Sequence, residues 1–277
     1  MFNRLTKIAL LALALPAILL PLACMGYLIY QGLPELGNAL FSSTSQNAGF
    51  SGQQNILPQL TGSLALSLIA CIIAFPLALG LALYQQLYAN SLVKRLLQHG
   101  LTTFQSIPPL VFGLCGLIVF VHLLSWGISL AAGALVLALI ILPLLTLNTL
   151  NALERIPSEY TESAQALGMS AAQIIWHVWR PRAWRSLVTG LFLAIARTLS
   201  ETAPILFTAA VFSGVSWPDS LFSPVTSLQT HIFYLAQEAV DEQAVARAWS
   251  SALLLVMLVI GFSLLAQRVN KATLRSE

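Results

Sequence analysis

Residues 60–84 read LTGSLALSLIACIIAFPLALGLALY and contain no Asp, Glu, Lys or Arg. A helix needs about 20 largely apolar residues to cross the hydrocarbon core of a bilayer. Inside lipid, every backbone N–H and C=O must be satisfied within the protein, which leaves helices and closed barrels. Runs of the same kind recur at about 8–30, 104–125, 128–150, 187–213 and 248–267. The pattern predicts an all-α membrane protein with six transmembrane helices. Only 8% of the residues are charged, against roughly 25% in a soluble domain. A water-facing globular surface is thereby excluded.

The connections divide the chain into an N-terminal helix and outer loop (1–59), a core of five further helices (60–267) and a short tail (268–277). The polar stretch 31–59, with SSTSQNAGFSGQQN, reads as a loop. Residues 86–100, 151–186 and 214–247 are the other connections. Eleven Lys and Arg residues (Arg4, Lys7, Lys94, Arg95, Arg155, Arg180, Arg182, Arg185, Arg268, Lys271, Arg275) fall on one side and only Arg247 on the other. The positive-inside rule makes the first side cytoplasmic, with both termini inside. The first run admits two readings. LPLAC (20–24) resembles a lipoprotein signal ending at a lipidated Cys24, but the apolar run continues to Tyr30, long enough for a retained helix.

Within the spans, Gly113 and Gly116 are spaced to admit a neighbouring backbone. Pro108 and Pro109 suit the start of a helix, and Pro76 and Pro143 suit kinks. Cys24, Cys71 and Cys115 lie in apolar runs without ligand or disulfide spacing and read as small buried hydrophobes. His99, His122, His177 and His231 are scattered and read as surface groups. No metal site and no catalytic residue emerges.

Residues 154–186, ERIPSEYTESAQALGMSAAQIIWHVWRPRAWRS, read as helix, turn, helix. Pro157, Glu159 and Glu162 suit a helix N-terminus. Gly168 suits a left-handed stop. Ser170 and Gln173 form a capping box that starts the second helix, and Pro181 limits it. As a DNA-binding helix-turn-helix it would be tethered to the membrane at both ends and could hardly reach a groove, so no nucleic acid is expected. An interfacial connector and a docking site for a cytoplasmic partner are the other readings.

In IARTLSETAPILFT (195–208), Arg197 lies 12 residues beyond Arg185, about 18 Å along a helix and near the middle of the bilayer. A charge there costs about 2.5–3.5 kcal/mol even on insertion scales, so it must face protein or water. Glu201, one turn on, can pair with it. Pro204 cannot donate to the carbonyl of Ser200, and Thr198, Ser200, Thr202 and Thr208 add hydroxyls. Two roles fit: a brace within the bundle, or an anion pathway in which the Arg197 guanidinium forks onto oxyanion oxygens.

The spacing of Glu162, Ala164, Gly168 and Pro181 resembles the EAA loop of ABC importer permeases, with Ser163 and Arg180 as departures. SIPPLVFGLCGLIVF and AIARTLSETAPILFTAA resemble the phosphate importer permeases, on the PstA-like side, with Ser200 in place of a common glycine. The resemblance covers about residues 60–267. It implies a type I importer (MetI-like) fold in a bacterial inner membrane. It also implies a second, homologous permease subunit, usually non-identical, two copies of a cytoplasmic ATPase gripping the loop, and a periplasmic phosphate-binding protein. The chain has no G-x-x-x-x-G-K-[ST] loop, so ATP and its magnesium are expected on the ATPase and no cofactor on this chain. A permease for sulfate or molybdate, and an ion-coupled secondary carrier using Arg197 and Glu201, are the alternatives.

Overall fold

The computed structural model describes residues 4–41, 55–210, 217, 219–237 and 242–274. Among these residues all regular structure is helical. The stretch 42–54 and the acids Glu238 and Asp241 lie outside them.

Helix α1 (Arg4–Phe41) runs well beyond the span expected at 8–30. The loop expected at 31–59 therefore begins only after Phe41. The extension is held by packing on α11 (Glu242–Leu274). Tyr27 meets Trp249 edge to face at 5.3 Å. Gly32 lies so close that a Cβ there would come within 2.7 Å of the Trp249 carbonyl oxygen. Most of the remaining α1 surface is exposed leucine and isoleucine, suited to lipid. Cys24 is exposed on it, and so is Cys115 elsewhere, contrary to expectation; Cys71 alone is buried.

The core forms where α2 (Leu57–Leu87) crosses α5 (Leu130–Glu154) and α8 (Arg180–Leu199). Ala70, Ala74 and Ala78 recur one turn apart on α2 and are fully buried against the cluster containing Leu137, Ile141 and Leu145 of α5. Lipid supplies no hydrophobic drive between helices, so close backbone approach over small residues is what holds such a bundle. Pro76 and Pro143 are accommodated inside continuous helices.

The span expected at 104–125 is two helices. α3 (Ser91–Ser106) starts at Asn90, whose side chain accepts from the Val93 N–H at 2.9 Å. It turns by 88° into α4 (Pro109–Gly116), which continues as a π-helical turn over Leu117–Leu123. Prolines 108 and 109 force the bend. A residue before proline is pushed out of the helical region, and Ile107 is extended at φ −70°, ψ 127°. Four described helices are long and apolar enough to cross a membrane, or five with the bent pair counted as one. The segment expected at 187–213 is α8, then a break at Ser200–Thr202, then α9 (Ala203–Thr208). Arg180, Arg182, Arg185 and Arg197 keep α8 out of the apolar set. Six passes are compatible with this order.

The segment 214–247 contains a helix that apolar runs did not reveal, α10 (Leu228–Gln237), packed on α2 and α11. Its face is polar and buried: Gln229, Thr230 and His231 are each at most 3% exposed. His231 is therefore not a surface group. Ser63 Oγ donates to Gln229 Oε1 at 2.9 Å, Gln229 Nε2 donates to the Leu199 carbonyl at 2.8 Å, and Leu228 N–H donates to Ser63 Oγ at 2.8 Å. These bonds satisfy an open carbonyl at the C-terminus of α8.

Candidate functional site

Two regions carry the polar chemistry. The first surrounds the break between α8 and α9. Arg197 is in the last turn of α8, and its Nη2 lies 2.7 Å from Glu201 Oε1. The side chain of Glu201 is 8% exposed and that of Arg197 is 51% exposed. The pair is thus lopsided: the carboxylate is packed inside, and the guanidinium points outward with donors to spare.

Glu201 is not one turn further on a continuous helix, as the sequence suggested. The helix ends at Leu199, and the Glu201 N–H closes a short turn onto the Thr198 carbonyl at 3.1 Å. Pro204 begins the next helix, in a first turn where its missing donor costs little. Gly113 explains how the break is held. A Cβ there would stand 2.8 Å from Pro204 Cα, so α4 and α9 touch backbone to backbone. Gly116 makes room for side chains: a Cβ there would collide with the methyl groups of Val136 on α5 and Thr208 on α9.

Arg197 opens into a cavity of about 260 Å³ lined by Phe104, Gln105, Phe112, Ile140 and Leu144. The Phe104 and Phe112 rings stand 4.9 Å apart. Sequence reasoning missed these neighbours, because the bend at Pro108 is what brings α3 to this wall. The expected hydroxyls do not join Arg197. Thr198 Oγ1 donates to the Ile195 carbonyl, Ser200 Oγ to Ala196 and Thr208 Oγ1 to Pro204, each on its own helix. Thr202 is half-buried in the break and Pro204 is buried. Of the six residues proposed for this region, the structure brings Arg197 and Glu201 together; the Thr198 and Ser200 hydroxyls bond to their own helix, Thr202 lies in the break and Pro204 begins α9.

The second region is the loop between α5 and α8. Helix α6 (Ser158–Ala166) starts after Pro157, with Glu159 in its first turn and Glu162 exposed. Ala164 is 4% exposed and belongs to a cluster with Ile174, Val178 and Trp179. Gly168 has φ +77°, the left-handed stop expected. Ser170 and Gln173 close the capping box: Ser170 N–H donates to Gln173 Oε1 at 2.8 Å and Gln173 N–H to Ser170 Oγ at 3.4 Å. That starts α7 (Ala171–Ile174).

Pro181 does not limit this helix. The chain passes through a π-helical turn, Ile175–Trp179, straight into α8, with Pro181 in the first turn of the α segment. The wider turn changes the bonding register where proline's missing N–H would otherwise break the ladder. Trp179 Nε1 donates to Thr161 Oγ1 at 3.1 Å and the Arg182 guanidinium lies 3.8 Å over the Tyr160 ring, which locks α6 onto this turn. Leu167, Trp176 and Trp184 remain largely exposed around the tip.

The chain is similar to known proteins along most of its length. Residues 74–275 match the family described as binding-protein-dependent transport system inner membrane component. A probable ABC transporter permease protein, YqgI, of Bacillus subtilis is 31% identical over 252 residues, spanning 86% of this chain and 85% of its own. A probable phosphate transport system permease protein, PstA, of Methanocaldococcus jannaschii is 32% identical over 255 residues, spanning 90% and 86%. Among solved structures, a chain of the inward-facing MetNI methionine ABC transporter superimposes with a TM-score of 0.62 at 18% identity, over 79% of this chain and 95% of that one. A chain of a bacterial ABC transporter that imports alginate gives 0.60 at 16% identity, over 96% and 99%. The two structures speak for the fold alone, whereas the family match and the relatives above 30% identity settle membership: this multi-pass membrane protein belongs to the binding-protein-dependent transport system inner membrane components, the permease subunits of ABC importers.

Proposed function

We propose that this chain forms half of the pore of an ATP-driven importer that carries inorganic phosphate across a bacterial inner membrane into the cytoplasm. The observation that carries the reading is the lopsided pair: Arg197 is half-exposed in a cavity while its counter-ion is packed behind it. A guanidinium held from behind keeps forked donors free for oxyanion oxygens. The Glu201 charge lowers the net positive charge, so the anion is attracted without being trapped. Similarity to PstA permeases supports phosphate among the oxyanions.

The basic end of the bundle then faces the cytoplasm. The loop around Gly168 is the docking element for a separate ATPase, with Leu167 and Trp176 as exposed apolar contacts. Arg197 faces a second permease subunit across the pore, and a periplasmic phosphate-binding protein delivers the anion to the opposite end. Helix α8 runs directly from the loop to Arg197, so a displacement received at the ATPase is carried to the anion by one rigid element.

Phosphate uptake by the complete complex in vesicles tests this. Arg197→Gln should reduce uptake about tenfold or more, the loss of one charge-assisted interaction, with assembly retained. Glu201→Gln should leave the arginine uncompensated and slow release. Normal uptake by an assembled Arg197→Gln complex would sink the pathway role. Sulfate uptake equal to phosphate uptake would move the substrate to another oxyanion.

A further inference from the structure

A second polar cavity, of about 190 Å³, lies between α5, α8 and α11 toward the basic end. Its polar lining is Asn148, Asn151, Arg155, Ser186, Thr189 and Asn270. Among the described residues no carboxylate lines it; Glu154, beside Arg155, is exposed and not part of the wall. The amide nitrogen of Asn148 is buried and has no hydrogen-bond partner among the described residues. Such a donor costs free energy unless something accepts from it. Gly190 makes the room: a Cβ there would press on the Asn148 side chain at 3.3 Å. The volume far exceeds the roughly 10–15 Å³ that admits one water. Thr189 Oγ1 already donates to the Arg185 carbonyl at 2.9 Å, so it supplies shape and the amides and Arg155 supply donors.

The position of this cavity is informative. Ile140 and Leu144 line the Arg197 cavity, and Asn148, Asn151 and Arg155 line this one. Their spacings of four, four, three and four residues make one face of α5. On α8, Ser186, Thr189, Leu193 and Arg197 likewise make one face. The two cavities therefore follow one another along a single α5–α8 groove: Leu193, at the upper edge of this one, lies four residues, about 6 Å, short of Arg197, and Leu144 stands at the lower edge of the other.

We infer that the Asn148–Arg155 cavity binds a phosphoryl-type oxyanion on the cytoplasmic side of Arg197. A cation is disfavoured by Arg155 and by the lack of a carboxylate among the described lining residues. Two sources share this chemistry: the free phosphate that leaves the pore, and the headgroup of an anionic phospholipid. The inference rests on the transport reading only for the first of these.

The test is equilibrium binding of radiolabelled inorganic phosphate to the full complex, purified without nucleotide or periplasmic binding protein. It is run both unsubstituted and in an Arg197→Gln background, which removes the upper cavity's contribution. Co-purifying anionic phospholipid is quantified in the same samples. Asn148→Asp keeps the side-chain shape and repels an anion; Arg155→Gln removes a charge at an exposed position. Each should weaken phosphate binding about tenfold, while Arg268→Gln, a charge outside the cavity, should not. Loss of bound phospholipid on the same two substitutions, without phosphate binding, assigns the site to a headgroup. If neither ligand responds to Asn148→Asp or Arg155→Gln, the inference is overturned. Uptake by the wild-type complex reports separately on the transport reading: a complex that binds through Asn148 but imports no phosphate keeps the site and loses that reading.

Discussion

A single arginine on a lipid-embedded helix is costly, and here the cost is met from one side only. Glu201 is buried and fixed by the turn at Ser200, whereas Arg197 is half-exposed. The pair itself was legible, because two charges four residues apart in an apolar run stand out. Its asymmetry was not, because it depends on the helix ending at Leu199. The glycines beside it lead to a sharper expectation. A Cβ on Gly116 would collide with Val136, whose side chain has little freedom there. Gly116→Ala should destabilise the purified complex by about 1–3 kcal/mol, the usual cost of overpacking. Adding Val136→Ala should recover most of that loss. Thermal unfolding in detergent measures both, and failure of the second substitution to rescue would show that the contact does not set the α4–α5 spacing.

At the scale of elements, the loop from α6 to α8 followed its sequence signals closely. The Gly168 stop and the Ser170–Gln173 capping box both formed, since each depends on neighbours within three residues. Pro181 was misread because its effect depends on the hydrogen-bond register upstream, and the π-helical turn at Ile175–Trp179 changes that register. If this loop couples to the ATPase, its shape matters more than its stability alone. Gly168→Val places a branched side chain at φ +77° and should cost about 1–2 kcal/mol locally. ATPase activity stimulated by the loaded binding protein should fall several-fold while the complex still assembles. Ser170→Ala removes a cap worth about 1 kcal/mol and should give a milder version of the same defect. Unchanged stimulation in an assembled Gly168→Val complex would disqualify the loop as the coupling element.

At the scale of the whole molecule, α10 ties the end opposite the basic loop together. It joins α2 and α8 through Gln229, Ser63 and the Leu199 carbonyl, and packs on α11. His231 is buried there outside the spanning helices, and burial, helped by Arg247, pushes its pKa down from 6.5 to about 4. The folded state therefore holds the neutral ring, and the unfolded state takes up a proton at a higher pH. Stability is full above the unfolded value and declines as pH falls from about 6.5 toward 4. The loss by pH 4 is on the order of 3 kcal/mol. The midpoint of thermal unfolding of the complex should drop over that window, and His231→Gln should flatten the slope. A wild-type slope unchanged by the substitution would place the titration elsewhere.

The sequence by itself determined that this chain lives in a membrane as a helical bundle, which end is basic and where the glycine turn falls. Each of these is a local or compositional property: apolar length, charge count by side, and caps closed within a few residues. Tertiary structure decided the rest. The bend that swings α3 against Arg197 comes from paired prolines whose angle apolarity cannot encode. The burial of α10 depends on a hydroxyl 166 residues from its glutamine partner. The α5–α8 groove exists only because two helices with separate polar faces are packed with those faces aligned. Polar groups in a bundle are placed by the partners that satisfy them, and those partners are distant in the chain.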